Sequence, residues 1–288
     1  MAKVAVVTDS VASIPNAVIE ELEIHWAPYY IHKGKEVLRD LATVQPKAFY
    51  EWLATAVTLP TTAAPGPGDY LQIYEKLAAS GVREIASIHI TSKGSAAYQA
   101  AKVAQAAILE RVPDLRIAVI DTLNVAMCQG WLVVEAARAA QIGQSLTQIT
   151  EKIHKLMPLT RMIQTADTLK YLHMGGRIGK AQHLAGSLLS IKPLIGMEDG
   201  VIVALGKARG RRRAYQAMVD WVETAVSQLG RIKIGYVHVA AREEVEKLKA
   251  LVESRVTAVE TIVAELSPAL GVHSGPGTTG LCILPVLE

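Results

Sequence analysis

The side chains best suited to chemistry in this sequence are hydroxyls and an imidazole that stand near glycine or proline in three segments. Thr61 and Thr62 open the first segment, Ser92 and Ser95 lie in the second, and His273 precedes a Gly-Pro-Gly turn in the third. Such groups can hydrogen-bond a carboxylate or a phosphate, or serve as nucleophile and base. Each segment also has a plainer interpretation, as a connector, a helix cap or an exposed loop.

The segment from Thr91 to Ser95 joins an apolar strand pattern to an alanine-rich helix pattern. The first N–H groups of a helix lack partners within it, and the helix dipole favours negative charge there. This segment therefore predicts a seat for an anion. Ser95 can cap the helix and still contact a ligand, so the two interpretations are compatible.

Two further segments carry arginine. A predicted helix ends at paired glycines, where Gly175 fits a left-handed cap, and Arg177 follows. Arg177 could support a domain boundary, contact a ligand or meet a partner. The cluster from Arg209 to Arg213, with Arg211 at its centre, crowds a predicted helix start that the helix dipole makes unfavourable for cations. We expect Arg177, Arg209 and Arg211 to face a partner.

Familiar enzyme signatures are missing from the sequence. It contains no GxGxxG after the first strand, no GxxxxGK[ST], no HExxH and no GxSxG. Asp9, Ser95 and His273 could be imagined as a triad, so a hydrolase or phosphotransferase that uses Ser95 or His273 stays open as the main alternative. A nucleic-acid-binding regulator that uses the arginine cluster is the second alternative.

Composition narrows the class of protein. The chain of 288 residues suits two ordinary domains or one large one, and half of it is hydrophobic. The net charge of +3 is too small by itself to predict nucleic-acid binding. Cys128 and Cys282 lack paired spacing, which predicts reduced thiols and no cysteine-based metal site. No signal-peptide pattern and no run long enough to span a bilayer is present, so we expect a cytoplasmic protein.

The first half alternates apolar runs with helix patterns. Strands are predicted at Val4 to Val7, Ile85 to Ile90 and Ile117 to Ile120, each followed by polar residues and a helix. Such strand–loop–helix units imply a parallel sheet covered on both faces, with ligands bound beyond the carboxyl ends of the strands.

The second half predicts a different sheet. Glu198, Asp199 and Gly200 form a turn between two apolar runs, which indicates a hairpin. Three more strands alternate with helices at about Arg211 to Leu229 and Arg242 to Ser254. We therefore predict an α/β protein of two domains: a Rossmann-like parallel-sheet domain at 1–160, and an α+β domain with a mixed or antiparallel sheet at 161–288.

Several segments stand, in this order, where one family has its characteristic sequence patterns, with departures at Ala63, Ala64, Gly94, Ala96 and Ala97. They are Val6 to Pro15, Thr62 to Pro65, Ile90 to Ala101, Leu172 to Ile178, Ile191 to Pro193 and His273 to Gly277. The first fits T-D-S-x-x-x-x-P, the fourth fits L-x-x-G-G-R-I and the last fits H-x-G-P-G. Together they resemble the DegV family of bacterial lipid-binding proteins over essentially the whole chain.

The resemblance implies one long-chain fatty acid bound between two domains, without catalysis or cofactor. Its carboxyl group would be held by Thr62, Ser95 and His273, with Ser92 as a near alternative. Thr61, Gly94 and Gly275 complete the predicted ligand-binding set.

The resemblance also implies a partner. Similar proteins present the fatty acid to a separate fatty acid kinase, which makes acyl phosphate for phospholipid synthesis. We expect a monomer that binds no metal, no nucleic acid and spans no membrane. A protonated His273 would supply a counter-charge, whereas a neutral acid would need none, and the sequence leaves both open.

Overall fold

The computed structural model describes residues 4–184 and 190–287, and they form three sheets covered by helices. The strands are β1 (Ala5–Asp9), β2 (His25–Ala27), β3 (Tyr30–Lys33), β4 (Glu36–Arg39), β5 (Thr61–Ala63), β6 (Glu84–His89), β7 (Arg116–Asp121), β8 (Arg161–Thr165), β9 (Ile191–Glu198), β10 (Val201–Arg209), β11 (Ile232–His238), β12 (Glu260–Glu265) and β13 (Thr279–Pro285). The helices are α1 (Asn16–Glu21), α2 (Pro46–Leu53), α3 (Pro67–Ala79), α4 (Ala97–Leu109), α5 (Met127–Gln141), α6 (Leu146–Leu156), α7 (Lys170–Met174), α8 (Arg211–Leu229), α9 (Arg242–Glu253) and α10 (Pro268–Ser274).

The first sheet is parallel, with strand order β2-β1-β6-β7. Its central strands are apolar and buried, as expected when helices cover both faces. The second sheet has the order β10-β9-β8-β13-β11-β12 and is mixed, because β11 and β12 are parallel while its other pairs are antiparallel. The predicted α/β class, with one parallel and one mixed sheet, is confirmed.

Helix α5 packs between these two sheets, against β1 and β6 on one side and β11 and β13 on the other. It is buried almost all round, which explains its apolar sequence without a clear polar face. The domain boundary at 160/161 stays a prediction. It is supported by the position of β8, which begins at Arg161 and opens the second sheet.

A small antiparallel sheet, with strand order β4-β3-β5, was not predicted. Its strands have only three or four residues each, and polar or charged side chains interrupt their apolar pattern. Helix α10 packs against β3 and β5, so this sheet connects the first half of the chain to a helix near its end.

The predicted left-handed cap at Gly175 is wrong by one residue. Gly175 keeps a right-handed backbone, and its N–H donates to the carbonyl of Tyr171, which extends the helical hydrogen bonding. Gly176 takes the left-handed conformation with φ of +69°. The N–H of Arg177 then donates to the carbonyl of Leu172 at 3.0 Å and closes the helix end.

Candidate functional site

A cavity of about 560 Å³ lies beyond the carboxyl ends of three parallel strands. Val11 follows β1, Ile90 follows β6 and Val125 follows β7, and all three line the cavity. The facing wall includes Met162 of β8 and Ile202 of β10. The cavity thus lies where the sequence predicted a ligand, and both main sheets contribute to its wall.

Thr62 and His273 meet at this cavity, although they lie 211 residues apart in the chain. Thr62 Oγ1 and His273 Nε2 are hydrogen-bonded at 2.8 Å. Thr62 is the central residue of β5, where alternation turns its side chain inward and leaves Thr61 exposed. His273 lies in the last turn of α10.

The start of α10 is fixed by two side chains. The Oγ of Ser267 accepts the N–H of Leu270 at 3.4 Å, and the buried carboxylate of Asp40 accepts the N–H of Ala269 at 3.0 Å. Because these contacts hold one end of a seven-residue helix, they also place His273 at its other end.

Ser95 is the second polar anchor in the cavity wall. Its Oγ accepts the N–H of Ala97, the first residue of α4, at 3.2 Å, although Ala96 rather than the predicted Ser95 is the cap residue of that helix. The same Oγ is hydrogen-bonded to the hydroxyl of Tyr29, which also lines the cavity. Sequence reasoning missed Tyr29, because nothing in its local pattern indicates a partner 66 residues away.

Burial and nearby charges set the protonation states of His273 and Tyr29. Burial, with a further contribution from the guanidinium of Arg177, lowers the pKa of His273 to about 4. Burial raises the pKa of Tyr29, and the carboxylate of Asp9 adds to this effect. At neutral pH the imidazole and the phenol are therefore uncharged. Arg177 and Lys93 are the cationic side chains in the described cavity wall.

The paired glycines before Arg177 have separate physical roles. A Cβ on Gly175 would lie 2.2 Å from Nδ1 of His273, so only glycine lets the end of α7 approach the imidazole this closely. Gly176 supplies the left-handed turn. Together they bring Arg177 to the cavity wall, and its Nη1 also donates to the carbonyl of Gly175 at 2.7 Å.

A single sequence profile matches residues 3–286 of this chain, and it describes uncharacterised proteins of the DegV family. The chain belongs to the DegV family. A DegV domain-containing protein of Clostridium acetobutylicum is 32% identical over 285 residues, which cover 98% of this chain and 99% of that protein. One of Caldanaerobacter subterraneus is 30% identical and covers 98% of both chains.

Solved structures of DegV proteins share the fold over their whole length. A fatty-acid-binding DegV protein of Thermus thermophilus has a TM-score of 0.91 at 27% identity and covers 99% of this chain and 100% of its own. DegV of Bacillus subtilis, described as a fatty acid binding protein, has a TM-score of 0.88 at 28% identity with the same coverage. A stearic acid-binding protein of Eubacterium ventriosum has a TM-score of 0.90 at 26% identity, with 98% of each chain covered.

Not every predicted site residue of this DegV chain reaches the cavity. Thr62, Gly94, Ser95 and His273 line it. Thr61, Ser92 and Gly275 lie off the described cavity wall. Ser92 is exposed, and only its backbone is engaged, through a hydrogen bond from its N–H to Asp121 at 3.1 Å. Gly275 instead has φ of +78°, and a Cβ there would collide with the ring of Tyr171.

The three predicted partner-contact arginines have different surroundings. Arg177 lines the cavity and is exposed. Arg209 is exposed at the end of β10. Arg211 is tied into the fold, because it forms an ion pair with Asp167 and donates to the carbonyl of Gly277 at 3.0 Å. The carboxylate of Asp167 offsets the unfavourable position of this cation at the start of α8.

The imagined triad of Asp9, Ser95 and His273 is not assembled. Ser95 is hydrogen-bonded to Tyr29, and His273 to Thr62. Asp9 instead accepts from His89, whose other nitrogen is hydrogen-bonded to Ser87. Asp9, Ser87 and His89 are all at most 1% exposed, so this triad-like chain is sealed inside the parallel sheet.

Within residues 4–184 and 190–287, no group of histidine, cysteine, aspartate and glutamate side chains is arranged to hold a metal ion. The helices in the same part of the chain are too short or too polar to cross a bilayer.

Proposed function

We propose that this protein binds one long-chain fatty acid, with its carboxyl group at Thr62, Ser95 and His273 and its tail in the cavity. The observation that carries the proposal is the presence of two hydrogen-bonded pairs, Thr62 with His273 and Ser95 with Tyr29, in the wall of one largely apolar cavity. The fatty-acid-binding DegV proteins of the same fold support the ligand class.

The tail would dominate the affinity. A chain of about sixteen carbons buries roughly 12 kcal/mol of hydrophobic free energy at ~0.8 kcal/mol per methylene. Association offsets ~4–15 kcal/mol of this, so the tail must be almost fully covered for stable binding. The polar groups then fix the orientation of the acid.

The head group needs hydrogen bonds and a counter-charge once water is removed. The hydroxyls of Thr62 and Ser95 can donate to a carboxylate. Because the imidazole of His273 is neutral in the unliganded protein, we assign the counter-charge to Arg177, which is close enough to lower the pKa of His273. A neutral imidazole has one N–H. With that proton on Nε2, His273 donates to Oγ1 of Thr62 and leaves the hydroxyl proton of Thr62 free for the carboxylate.

The binding test uses native mass spectrometry and lipid extraction of the purified protein. We expect Thr62→Ala and Ser95→Ala each to weaken fatty-acid binding, because each removes a hydrogen bond to a charged group worth about 1.5–3 kcal/mol, or roughly 10- to 150-fold in Kd. His273→Ala should weaken binding too, because Thr62 then loses the partner that orients its hydroxyl. Thr61→Ala and Ser92→Ala are matched controls, since each removes an exposed hydroxyl next to the site. An apo mass that takes up no added fatty acid would contradict the proposal, as would equal loss in the control variants.

We further propose that the bound acid is presented to a separate fatty acid kinase in the cytoplasm, which forms acyl phosphate for phospholipid synthesis. The exposed guanidinium groups of Arg177 and Arg209 support a cationic contact with that partner or its nucleotide. Arg209 is the sharper probe, because it lies at the far end of β10 from Gly200, which contacts Thr91 at the cavity.

For the partner test, we expect Arg209→Glu to slow acyl-phosphate formation by an added fatty acid kinase while fatty-acid retention stays unchanged. Arg231→Glu is the control. Arg231 is also exposed, and it lies just before the start of β11, which runs in the same direction as β10. Because Arg209 ends β10, the two arginines lie at opposite ends of the strands. Equal rates of acyl-phosphate formation with the wild type and with Arg209→Glu would show that Arg209 does not contact the kinase.

A further inference from the structure

Gln164 places an amide in the wall of the cavity that is proposed to hold the fatty acid, in addition to the proposed head-group residues Thr62, Ser95 and His273. The residue is only 6% exposed, and it lines the cavity together with Met162, two positions earlier on β8. Ile163, between them, packs in the core on the other face of the sheet. Alternation along the strand therefore turns Met162 and Gln164 toward the cavity.

The amide of Gln164 has no hydrogen-bond partner among the described residues, although its backbone is paired within the sheet. A glutamine amide offers two donors and two acceptor lone pairs. Because the amide faces the cavity and has no partner in the described chain, its hydrogen bonds must come from water or from a ligand group in the cavity.

The neighbouring strand leaves room for this side chain. Gly280 of β13 lies directly opposite Gln164, and a Cβ on Gly280 would approach the Cβ of Gln164 to 2.5 Å. Glycine at this position thus accommodates Gln164 without supplying any polar group to its amide. The sheet therefore leaves space for the side chain of Gln164 but offers no hydrogen-bond partner to its amide.

An unsubstituted alkyl chain in the cavity would cover the amide without replacing the hydrogen bonds it makes to water. A chain that carries a hydroxyl group at the right depth would supply a donor and an acceptor instead. We propose that Gln164 selects a fatty acid with a hydroxyl group on its chain. The inference rests on the proposed fatty-acid function and specifies the substrate class of the same cavity.

The test measures Kd for octadecanoic acid and for a positional series of its mono-hydroxy derivatives. In the wild type, we expect at least one hydroxy acid to bind more tightly than octadecanoic acid. Gln164→Met keeps the length of the side chain but removes its hydrogen-bonding groups, and it should lower this preference roughly ten-fold, the size of one buried hydrogen bond. Gln164→Leu is the second variant, and thermal unfolding checks that both variants fold.

Gln216→Met is the matched control, because it makes the same replacement at an exposed position of α8, off the described cavity wall, and should leave the preference unchanged. Two results would overturn the proposal: no hydroxy acid preferred by the wild type at any position, or a preference that survives both Gln164 variants. If the wild type binds neither octadecanoic acid nor any derivative, the fatty-acid function itself fails, and that outcome is distinct from the other two.

Discussion

His273 forms a hydrogen bond in the proposed head-group site, and its burial lowers the stability of the fold in acid. Its Nε2 is hydrogen-bonded to Thr62, while its Nδ1 is buried and has no partner in the described chain. Protonation would put a charge on a buried ring close to the guanidinium of Arg177. Burial and this guanidinium lower the pKa of His273 from 6.5 to about 4, and the shift makes stability depend on pH.

At the residue scale we predict that His273 destabilises the fold as the solution becomes acidic. Its pKa is lower in the folded chain than in the unfolded one, so the unfolded chain takes up the proton first. Stability is therefore lost as pH falls from about 6.5 toward about 4. Between pH 6.5 and 4.5, urea unfolding should show a smaller loss of free energy for His273→Ala than for the wild type.

His238 and Asp40 are present in both the wild type and His273→Ala, and their protonation also makes the stability of both proteins depend on pH. Burial and the nearby Arg242 also lower the pKa of His238 to about 4, which adds a loss of the same sign. Burial raises the pKa of Asp40 to about 6, so that group stabilises the fold as pH falls through about 6 toward 3.8. Identical pH slopes for wild type and His273→Ala would show that His273 is not held neutral by the fold.

The sequence predicts which residues line the candidate site better than it predicts which side chains they contact. Thr62, Ser95 and His273 were predicted from motifs, and the structure brings all three to one cavity. Tyr29 and Gln164 were not predicted. Their importance comes from position, since Tyr29 meets a serine far along the chain and Gln164 faces a cavity that only the packed sheets create.

At the scale of elements, long periodic segments were predicted well. Helix α8 has the predicted bounds, Arg211–Leu229, because its apolar face repeats over nineteen residues. The hairpin of β9 and β10 was predicted from its Asp-Gly turn, in which Asp199 and Gly200 both have positive φ.

Short elements and exact turns were predicted poorly. Strands β2 to β5 are too short for an alternation pattern to stand out, and their pairing is decided by contacts between distant segments. The choice between Gly175 and Gly176 as the left-handed residue depends on the close approach of His273 to Gly175, which no local pattern records. Tertiary contact, rather than propensity, decides both cases.

At the scale of the whole molecule, a set of ion pairs joins the two halves of the chain through α5. Glu135 accepts hydrogen bonds from Lys152 at 2.8 Å and from Lys233 at 2.7 Å. One turn further along α5, Arg138 forms a two-point contact with Glu260, at 2.7 and 2.6 Å. Glu135 and Arg138 lie on α5 and Lys152 on α6, whereas Lys233 and Glu260 belong to the six-stranded sheet, so these ion pairs connect the first half of the chain to that sheet.

Glu135 is the member whose loss should matter most. It is 9% exposed, and although burial opposes ionisation, the hydrogen bonds from Lys152 and Lys233 lower its pKa. Glu135→Gln removes the carboxylate and leaves these ammonium groups poorly compensated. Breaking a buried ion pair in this way costs about 3–5 kcal/mol, and the partial exposure of Lys152 reduces the expected loss to about 2–4 kcal/mol.

Urea unfolding at neutral pH would measure this loss, with Glu151→Gln as the control, because Glu151 lies exposed on α6 and should change stability by less than about 0.5 kcal/mol. The lowered pKa gives a second signature. The contribution of Glu135 is present above about pH 4.5 and is lost as pH falls further, so the wild type and Glu135→Gln should converge in stability under acid. A difference that stays constant from pH 7 to pH 3, or no difference at pH 7, would show that packing of α5 rather than this carboxylate joins the two sheets.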